Sequence, residues 1–163
     1  MERKKVPLEL HINGELMQTF AYPHLTLLEV VRENFGLTGS KRSCDFGECG
    51  SCTMLVDGVP TLACITIARS VRHKEIVTIE GLSWEGVLHP VQQGFVDLGG
   101  IQCGFCTPGF IMTAKALLDR NPDAEDQEIK YALAGNLCRC TGYVKIIDAV
   151  LEAAKEVRAA AAS

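Results

Sequence analysis

Apolar and polar residues alternate at the start of the chain in a pattern that is typical of β-strands. The stretch "LELHING" places Leu8, Leu10 and Ile12 at alternate positions, and residues two apart share one face of a strand. Asn13-Gly14 favours a tight hairpin turn, after which "ELMQTF" returns as a second strand. The pattern therefore predicts that the chain begins with a β-hairpin.

The spacing of apolar residues becomes helical in the next segment, "LTLLEVVRENFG". Thr26 can cap the start of this helix, and Gly36 lies where helices commonly end. A glycine-rich loop over 36–51 follows, then a hairpin in "CTMLVDGVPTLAC" that turns at Asp57-Gly58, and a last strand in "EIVTIEGL". A few strands packed on one helix predict a small α+β domain over residues 1–82.

The second half of the chain has the pattern of four helices. The segments are "HPVQQGFVDLG", "TPGFIMTAKALLDRN", "EDQEIKYALAG" and "TGYVKIIDAVLEAAKEVRA". Pro90 suits a first helical turn, Pro122 lies beyond the second helix, and Gly135 closes the third. Four short helices favour a bundle. The pattern predicts an α+β protein in which a helical domain over residues 83–163 follows the first.

Composition and charge narrow the possible partners and location. The chain is 47% hydrophobic and 22% charged, with a net charge of −4, which is typical of a folded globular protein. No run of Lys and Arg is flanked by aromatic residues, so nucleic acid is not expected as a partner. The apolar runs are too short to span a bilayer, and no apolar stretch follows the first charged residues. We therefore expect a cytoplasmic protein that has no membrane partner.

Cysteine is the unusual residue of this sequence. In a reducing compartment, many cysteines indicate metal binding more than disulfides. The eight cysteines form two groups of four, and each group could make one metal site: Cys44, Cys49, Cys52 and Cys64, then Cys103, Cys106, Cys138 and Cys140.

The first group has the spacing C-x4-C-x2-C with one further cysteine downstream, which is typical of plant-type [2Fe–2S] proteins. Such a cluster takes three thiolates from one loop that wraps around it. Gly47 and Gly50 lie inside this loop and allow the backbone to turn sharply and aim N–H groups at sulfur. The alternative is structural zinc, because Cys49-x-x-Cys52 alone would also suit that metal.

The second group consists of two pairs, C-x2-C and C-x-C. Cys138 and Cys140 are too close in sequence to form an unstrained disulfide, which indicates that both bind a third group. Thr107-Pro108 and Thr141 follow the pairs directly, so threonine caps would place both pairs at helix N-termini. The positive end of each helix would stabilise an anionic cluster. Zinc remains an alternative for this group as well.

Three motifs carry a resemblance to a known family: "GLTGSKRSCDFGECGSCTMLVDG", "QCGFCTPGFIM" and "GNLCRCTGY". Over residues 7–155 the chain resembles the small iron–sulfur subunit of the molybdenum hydroxylases, the family of xanthine dehydrogenase, aldehyde oxidoreductase and carbon monoxide dehydrogenase. The resemblance implies a β-grasp ferredoxin-like domain followed by a four-helix bundle. It also implies one [2Fe–2S] cluster in each domain, with all eight cysteines as iron ligands.

The same resemblance implies partner chains and a direction of electron flow. A large subunit would carry a molybdopterin cofactor, and often a medium subunit would carry FAD. Electrons would pass from molybdenum through the bundle cluster and the ferredoxin-like cluster to FAD or another acceptor. In the family the residue at Gln102 hydrogen-bonds the pterin, and the cysteine at Cys140 lies beside the pterin as well as binding iron.

Two alternatives to an electron-transfer subunit remain at the level of sequence. One is a free two-cluster ferredoxin that visits several partners, and the other is a zinc-stapled interaction module. No phosphate-binding loop, dinucleotide fingerprint or Ser-His-Asp order is present, so we expect no catalytic residue in this chain.

Arg139 lies between two candidate ligands and is expected to point away from the cluster, toward a partner.

Overall fold

The computed structural model describes residues 4–161. The first half of the chain forms a five-stranded sheet with the strand order β2-β1-β5-β3-β4. The central pair, β1 and β5, is parallel, and the other neighbouring strands are antiparallel. The strands are β1 (Val6–Ile12), β2 (Glu15–Ala21), β3 (Thr53–Val56), β4 (Val59–Leu62) and β5 (Glu75–Val77).

Both predicted hairpins are present, and their turns have the predicted residues. Asn13 and Gly14 have φ angles of 55° and 81°, and Asp57 and Gly58 have φ angles of 50° and 76°. Two successive left-handed residues give the turn whose twist matches that of paired strands. The Asn-Gly and Asp-Gly signals in the sequence therefore identified both turns.

The helix of the first half begins where its cap was predicted. Helix α1 (Leu27–Glu29) continues as a π-helical turn over Val30–Asn34. The Thr26 side chain accepts the Glu29 N–H, and the Glu29 carboxylate accepts the Thr26 N–H in return. Such a capping box pairs two backbone donors that the helix itself leaves free.

The second half contains four α-helices, one of which begins a residue earlier and one of which begins later than the sequence indicated. Cys106 rather than Thr107 is the N-cap of the second of these helices. The last helix begins at Val144 instead of Thr141, because Gly142 and Tyr143 have left-handed φ angles of 68° and 72° that a right-handed helix excludes. The helices are α2 (Pro90–Asp97), α3 (Thr107–Arg120), α4 (Asp126–Ala132) and α5 (Val144–Ala161).

The described residues form two hydrophobic cores that meet at strand β3. Met54 and Val56 pack in the core of the first half, with residues of β1 and α1. Leu55, on the opposite face of the strand, packs in the core formed by the helices. Successive residues of a strand face opposite ways, so β3 contributes to both cores and fixes the helices against the sheet.

Close helix packing in the second half depends on one glycine inside α2. A Cβ added at Gly94 would lie 2.5 Å from the Ala149 carbonyl oxygen of α5. Gly94 thus lets the two helices approach closely, which offsets its low helix propensity. Between residues 4 and 161, no helix is both long enough and apolar enough to cross a membrane.

Candidate metal centres

Three of the first four cysteines lie in a loop that wraps back on itself between α1 and β3, and the fourth, Cys64, follows β4. Cys49, Cys52 and Cys64 are buried, and Cys44 is partly buried. The loop turns through left-handed φ angles of 65° at Asp45, 89° at Gly47 and 69° at Gly50. Glycine accepts this conformation without steric cost, which explains the two glycines that the sequence places between these thiols.

Backbone N–H groups of the loop point toward the sulfur of Cys44. The Glu48 N–H donates to Cys44 Sγ at 3.4 Å. Hydrogen bonding from the Phe46 N–H, followed by that from Glu48, lowers the pKa of Cys44 to about 6. Burial raises the pKa of Cys52 to about 12. The loop is therefore built to stabilise negative charge on sulfur at its open side, as a thiolate ligand requires.

The second four cysteines come together where α3 and α5 begin. Cys103 and Cys106 directly precede α3, and Cys103 Sγ lies 3.6 Å from Cys140 Sγ. Cys138 is buried, whereas Cys103 and Cys140 are exposed. Burial, together with the neighbouring Cys138 thiol, raises the pKa of Cys106 to about 12. One side of this group thus faces the interior and the other faces solvent.

A network of hydrogen bonds surrounds Cys138. The Thr141 hydroxyl and N–H donate to Cys138 Sγ at 3.1 and 3.4 Å. The Thr141 hydroxyl oxygen also accepts the Tyr143 N–H at 3.2 Å, two residues on as predicted, although Thr141 is not the helix cap. Burial acts to raise the pKa of Cys138, but the hydrogen bonds from Thr141 outweigh it and leave this pKa lowered.

The strongest interactions between the thiols of each group run in two pairs, with weaker charge interactions between the pairs. In the first group Cys44 interacts with Cys49 and Cys52 with Cys64. In the second group the pairs are Cys106 with Cys138 and Cys103 with Cys140. In the part of the chain that the structure describes, no three Cys, His, Asp or Glu side chains gather closely enough to hold a single metal ion.

This pairing fits a two-iron core better than zinc. A [2Fe–2S] cluster places two protein ligands on each iron, whereas structural zinc needs four ligands around one point. The glycine loop and the donors aimed at sulfur add to that fit. The donor sets of both groups are therefore suited to [2Fe–2S] clusters.

The two groups are joined by direct contacts between their loops. The Leu137 N–H donates to the Cys49 carbonyl at 3.0 Å, and Asn136 Nδ2 donates to the Gly50 carbonyl at 3.2 Å. A Cβ added at Gly109 would lie 2.2 Å from that same Gly50 oxygen. A short route of bonds thus runs from Cys49 through Leu137 to the next residue, Cys138.

Sequence reasoning did not find Asn136 or Gly109 as functional residues. Both lie inside the quoted motifs: Asn136 is the Asn of "GNLCRCTGY", and Gly109 is the second Gly of "QCGFCTPGF". Their partner, Gly50, is distant in the chain, and a single sequence carries no signal that pairs them. His89, which belongs to none of the quoted motifs, is the N-cap of α2, where its side chain accepts the Val91 N–H.

The residues that the sequence assigned to partner contacts lie on the exposed side of the second group. Gln102, Cys103, Arg139 and Cys140 are all exposed. Between residues 4 and 161, neither Gln102 nor Arg139 makes a side-chain hydrogen bond or an ion pair. Their side chains are thus free to contact another chain, and their roles stay predictions.

Two family models match the chain, and together they cover both cysteine groups. A "2Fe-2S iron-sulfur cluster binding domain" matches residues 15–94, and a "[2Fe-2S] binding domain" matches residues 78–151. The chain is 48% identical over 146 residues to the nicotinate dehydrogenase small FeS subunit of Eubacterium barkeri. That match covers 90% of this chain and 93% of the relative.

Solved structures share the fold over nearly the whole chain. Quinoline 2-oxidoreductase from Pseudomonas putida 86 contains a chain that matches with a TM-score of 0.91 and 40% identity, covering 96% of this chain and 98% of that one. Aldehyde oxidoreductase from Desulfovibrio gigas matches with a TM-score of 0.90 and 39% identity. The match covers 95% of this chain but 17% of the aldehyde oxidoreductase chain.

Proposed function

Because the chain belongs to the family of [2Fe–2S] iron–sulfur subunits of the molybdenum hydroxylases, we propose that its eight cysteines are the iron ligands of two clusters. The protein is an electron-transfer subunit of a molybdenum-dependent oxidoreductase and is not catalytic alone. Its cofactors are [2Fe–2S] clusters. Each cluster, when bound, supplies reversible one-electron transfer.

The observation that carries this assignment is the two-by-two pairing of thiols in both groups. In the first cluster, Cys44 and Cys49 would bind one iron, while Cys52 and Cys64 would bind the other. The second cluster would divide its ligands in the same way: Cys106 with Cys138, and Cys103 with Cys140.

The clusters would belong to two domains. Residues 1–82 would form a β-grasp ferredoxin-like domain, since a parallel β1–β5 pair lies at the centre of the sheet and α1 packs in its core. Residues 83–163 would form a four-helix bundle of α2 to α5, which share one core. Leu55 joins that core from β3, so the two domains would be packed against each other rather than independent.

A large molybdopterin-binding subunit would cover the exposed side of the second cluster. Apolar side chains flank the exposed ligands there, including Phe105 at 45% and Leu137 at 54% exposure. Exposed apolar surface of this kind is typical of a subunit interface, which favours a built-in subunit over a free ferredoxin. Gln102 would donate to and accept from the pterin, and Cys140 would lie beside it.

A medium FAD-binding subunit would meet the first cluster at its open side. Phe46 is 68% exposed and Ile65 is 58% exposed, and Ile65 lies against Gly47 of the cluster loop. Electrons would then enter at the second cluster, cross the contact between Leu137 and Cys49, and leave from the first cluster. The cluster thiolates also suit a reducing compartment, so the complex would be cytoplasmic.

Purification of the complex tests this proposal. The chain, carrying an affinity tag, is isolated from its own organism with untagged neighbours, and molybdenum, flavin, iron and acid-labile sulfide are assayed. We expect a large partner with molybdenum and a medium partner with FAD. Isolation of the iron–sulfur chain alone, fully loaded and without partners at low salt, would favour the free ferredoxin.

A further inference from the structure

Three residues beside the second cluster form a closed ring of hydrogen bonds. The Cys138 N–H donates to the Tyr143 hydroxyl at 3.0 Å. The Tyr143 N–H donates to Thr141 Oγ1 at 3.2 Å, and the Thr141 hydroxyl donates to Cys138 Sγ at 3.1 Å. Each member therefore fixes the next, and the ring begins and ends on a proposed iron ligand.

The ring determines where the Thr141 proton points. Thr141 Oγ1 already accepts an N–H from Tyr143, so its remaining role in the ring is that of donor. A thiolate bound to iron carries no proton and can only accept. The hydroxyl proton of Thr141 must consequently point at the sulfur, where the Thr141 N–H also donates at 3.4 Å.

The backbone adopts an unfavourable conformation to close this ring. Tyr143 has a φ of 72°, in the left-handed region that bulky residues avoid, and Gly142 precedes it at 68°. The aromatic ring of Tyr143 packs edge-on against that of Phe110 in α3, with the two ring centroids 6.2 Å apart. Such conformations persist only where surrounding contacts hold them, and they concentrate at functional sites.

We propose that Thr141 raises the reduction potential of the second cluster by donating its hydroxyl proton to Cys138 Sγ, with Tyr143 as the residue that positions it. This inference rests on the proposed function, in which Cys138 binds iron. Reduction adds one electron and makes the cluster more negative, so a donor at sulfur stabilises the reduced form more than the oxidised form. Hydrogen bonds to sulfur are among the factors that set the potentials of such clusters.

The first cluster offers a different arrangement at its own ligands. There the donors to Cys44 Sγ are backbone N–H groups, among them that of Phe46 and that of Glu48 at 3.4 Å. At the second cluster, by contrast, the Thr141 hydroxyl donates to Cys138 Sγ at 3.1 Å, and a point mutation can remove this side-chain donor. The raised potential makes the second cluster a better acceptor for electrons that arrive from the partner subunit.

The test is a redox titration of the loaded protein followed by electron paramagnetic resonance. Thr141→Val keeps the shape of the side chain and removes the donor, whereas Thr141→Ser keeps the donor. We expect Thr141→Val to lower the midpoint potential of the second cluster and leave that of the first unchanged. Thr141→Ser should restore the wild-type value, which a purely structural role of the methyl group would not predict.

Three results would overturn the inference. An unchanged potential in Thr141→Val is one, and an equal shift in Thr141→Ser is another. If Thr141→Val fails to hold the second cluster, the wild-type protein provides the test instead. Proton resonance of the reduced second cluster in H₂O and D₂O should then reveal, besides the exchangeable Thr141 N–H, one exchangeable hydroxyl proton that is lost in D₂O. Its absence is the third contrary result. Wild-type protein without a second cluster would instead contradict the proposed function itself.

Discussion

Gln102 is the exposed residue whose role can be tested most simply at the scale of a single side chain. Its amide can both donate and accept, and within residues 4–161 it has no partner. We expect Gln102→Ala to keep both clusters and to slow reduction of the second cluster by substrate in the assembled complex. Loss of one hydrogen bond to the pterin corresponds to about 0.5–1.5 kcal/mol.

Rapid-freeze paramagnetic resonance would measure that rate. Gln18→Ala is the matched control, because Gln18 is also exposed but lies on β2 and donates to Glu9. An unchanged rate and unchanged retention of the molybdenum cofactor in Gln102→Ala would remove the pterin role from this residue.

Ligand replacement tests how far each cluster depends on its own cysteines. Cys49→Ser should damage the first cluster and spare the second, because the two ligand sets share no residue. Cys103→Ser is the reciprocal variant and should do the reverse. Iron analysis and paramagnetic resonance of both proteins check this; loss of both clusters from either variant would contradict the separate ligand sets.

At the scale of elements, the sequence predicted those parts whose signals are local. Asn13-Gly14 and the Thr26 cap each act through neighbouring residues, and the structure confirms both. The predicted start of α5 was wrong. Thr141 has a side chain that can cap a helix, but its hydroxyl donates a hydrogen bond to Cys138 Sγ instead. Helical propensity alone does not reveal that competition.

The cap of α2 supplies a prediction about stability and pH. His89 Nδ1 accepts the Val91 N–H at 3.2 Å, and His89→Ala should lower the free energy of unfolding by about 1 kcal/mol. Burial, and then the charge of Lys115, lowers the pKa of His89 below its ordinary value of 6.5. The unfolded chain therefore takes up this proton more readily, so this contribution to stability is lost as the pH falls below 6.5.

Chemical denaturation across that pH range would measure both effects. His89→Asn is the matched variant, since asparagine caps helices well and does not titrate. It should keep most of the stability at neutral pH and lose less of it in acid than the wild type. Equal loss of stability in acid for His89→Asn and wild type would exclude protonation of His89 as the cause of that loss.

At the scale of the whole molecule, the contact between the two cluster loops is the feature that would set the path of electrons between the clusters. A Cβ at Gly109 would lie 2.2 Å from the Gly50 oxygen, so Gly109→Ala must push the first cluster loop away. We expect a loss of about 1–3 kcal/mol in stability, as for an overpacked core. Weaker magnetic coupling between the two reduced clusters should accompany that loss.

Gly135→Ala is a matched control for this variant. It lies in the opposing segment, and a Cβ there meets nothing within 4 Å. Stability and coupling should stay at wild-type values in Gly135→Ala. Wild-type coupling in Gly109→Ala would show that this contact does not set the spacing of the clusters.

The sequence could predict the parts of this molecule but not how they meet. Cysteine spacing indicated two sites, and the quoted motifs indicated the family. The approach of Gly50 to Gly109 and Asn136 joins residues that are far apart in the chain. Such contacts follow from packing of the sheet on α3, through residues such as Leu55, which no local pattern describes.

The central claim is that this one chain carries two different [2Fe–2S] clusters, and spin quantification of the reduced protein tests it most directly. The purified chain is analysed for iron, acid-labile sulfide and zinc, then reduced fully and examined by paramagnetic resonance. We predict iron and sulfide for two clusters in each chain, with two distinct signals of equal intensity, because one cluster lies in a glycine loop and the other between helix ends. Zinc without iron and sulfide, or a single signal from fully loaded protein, would contradict it.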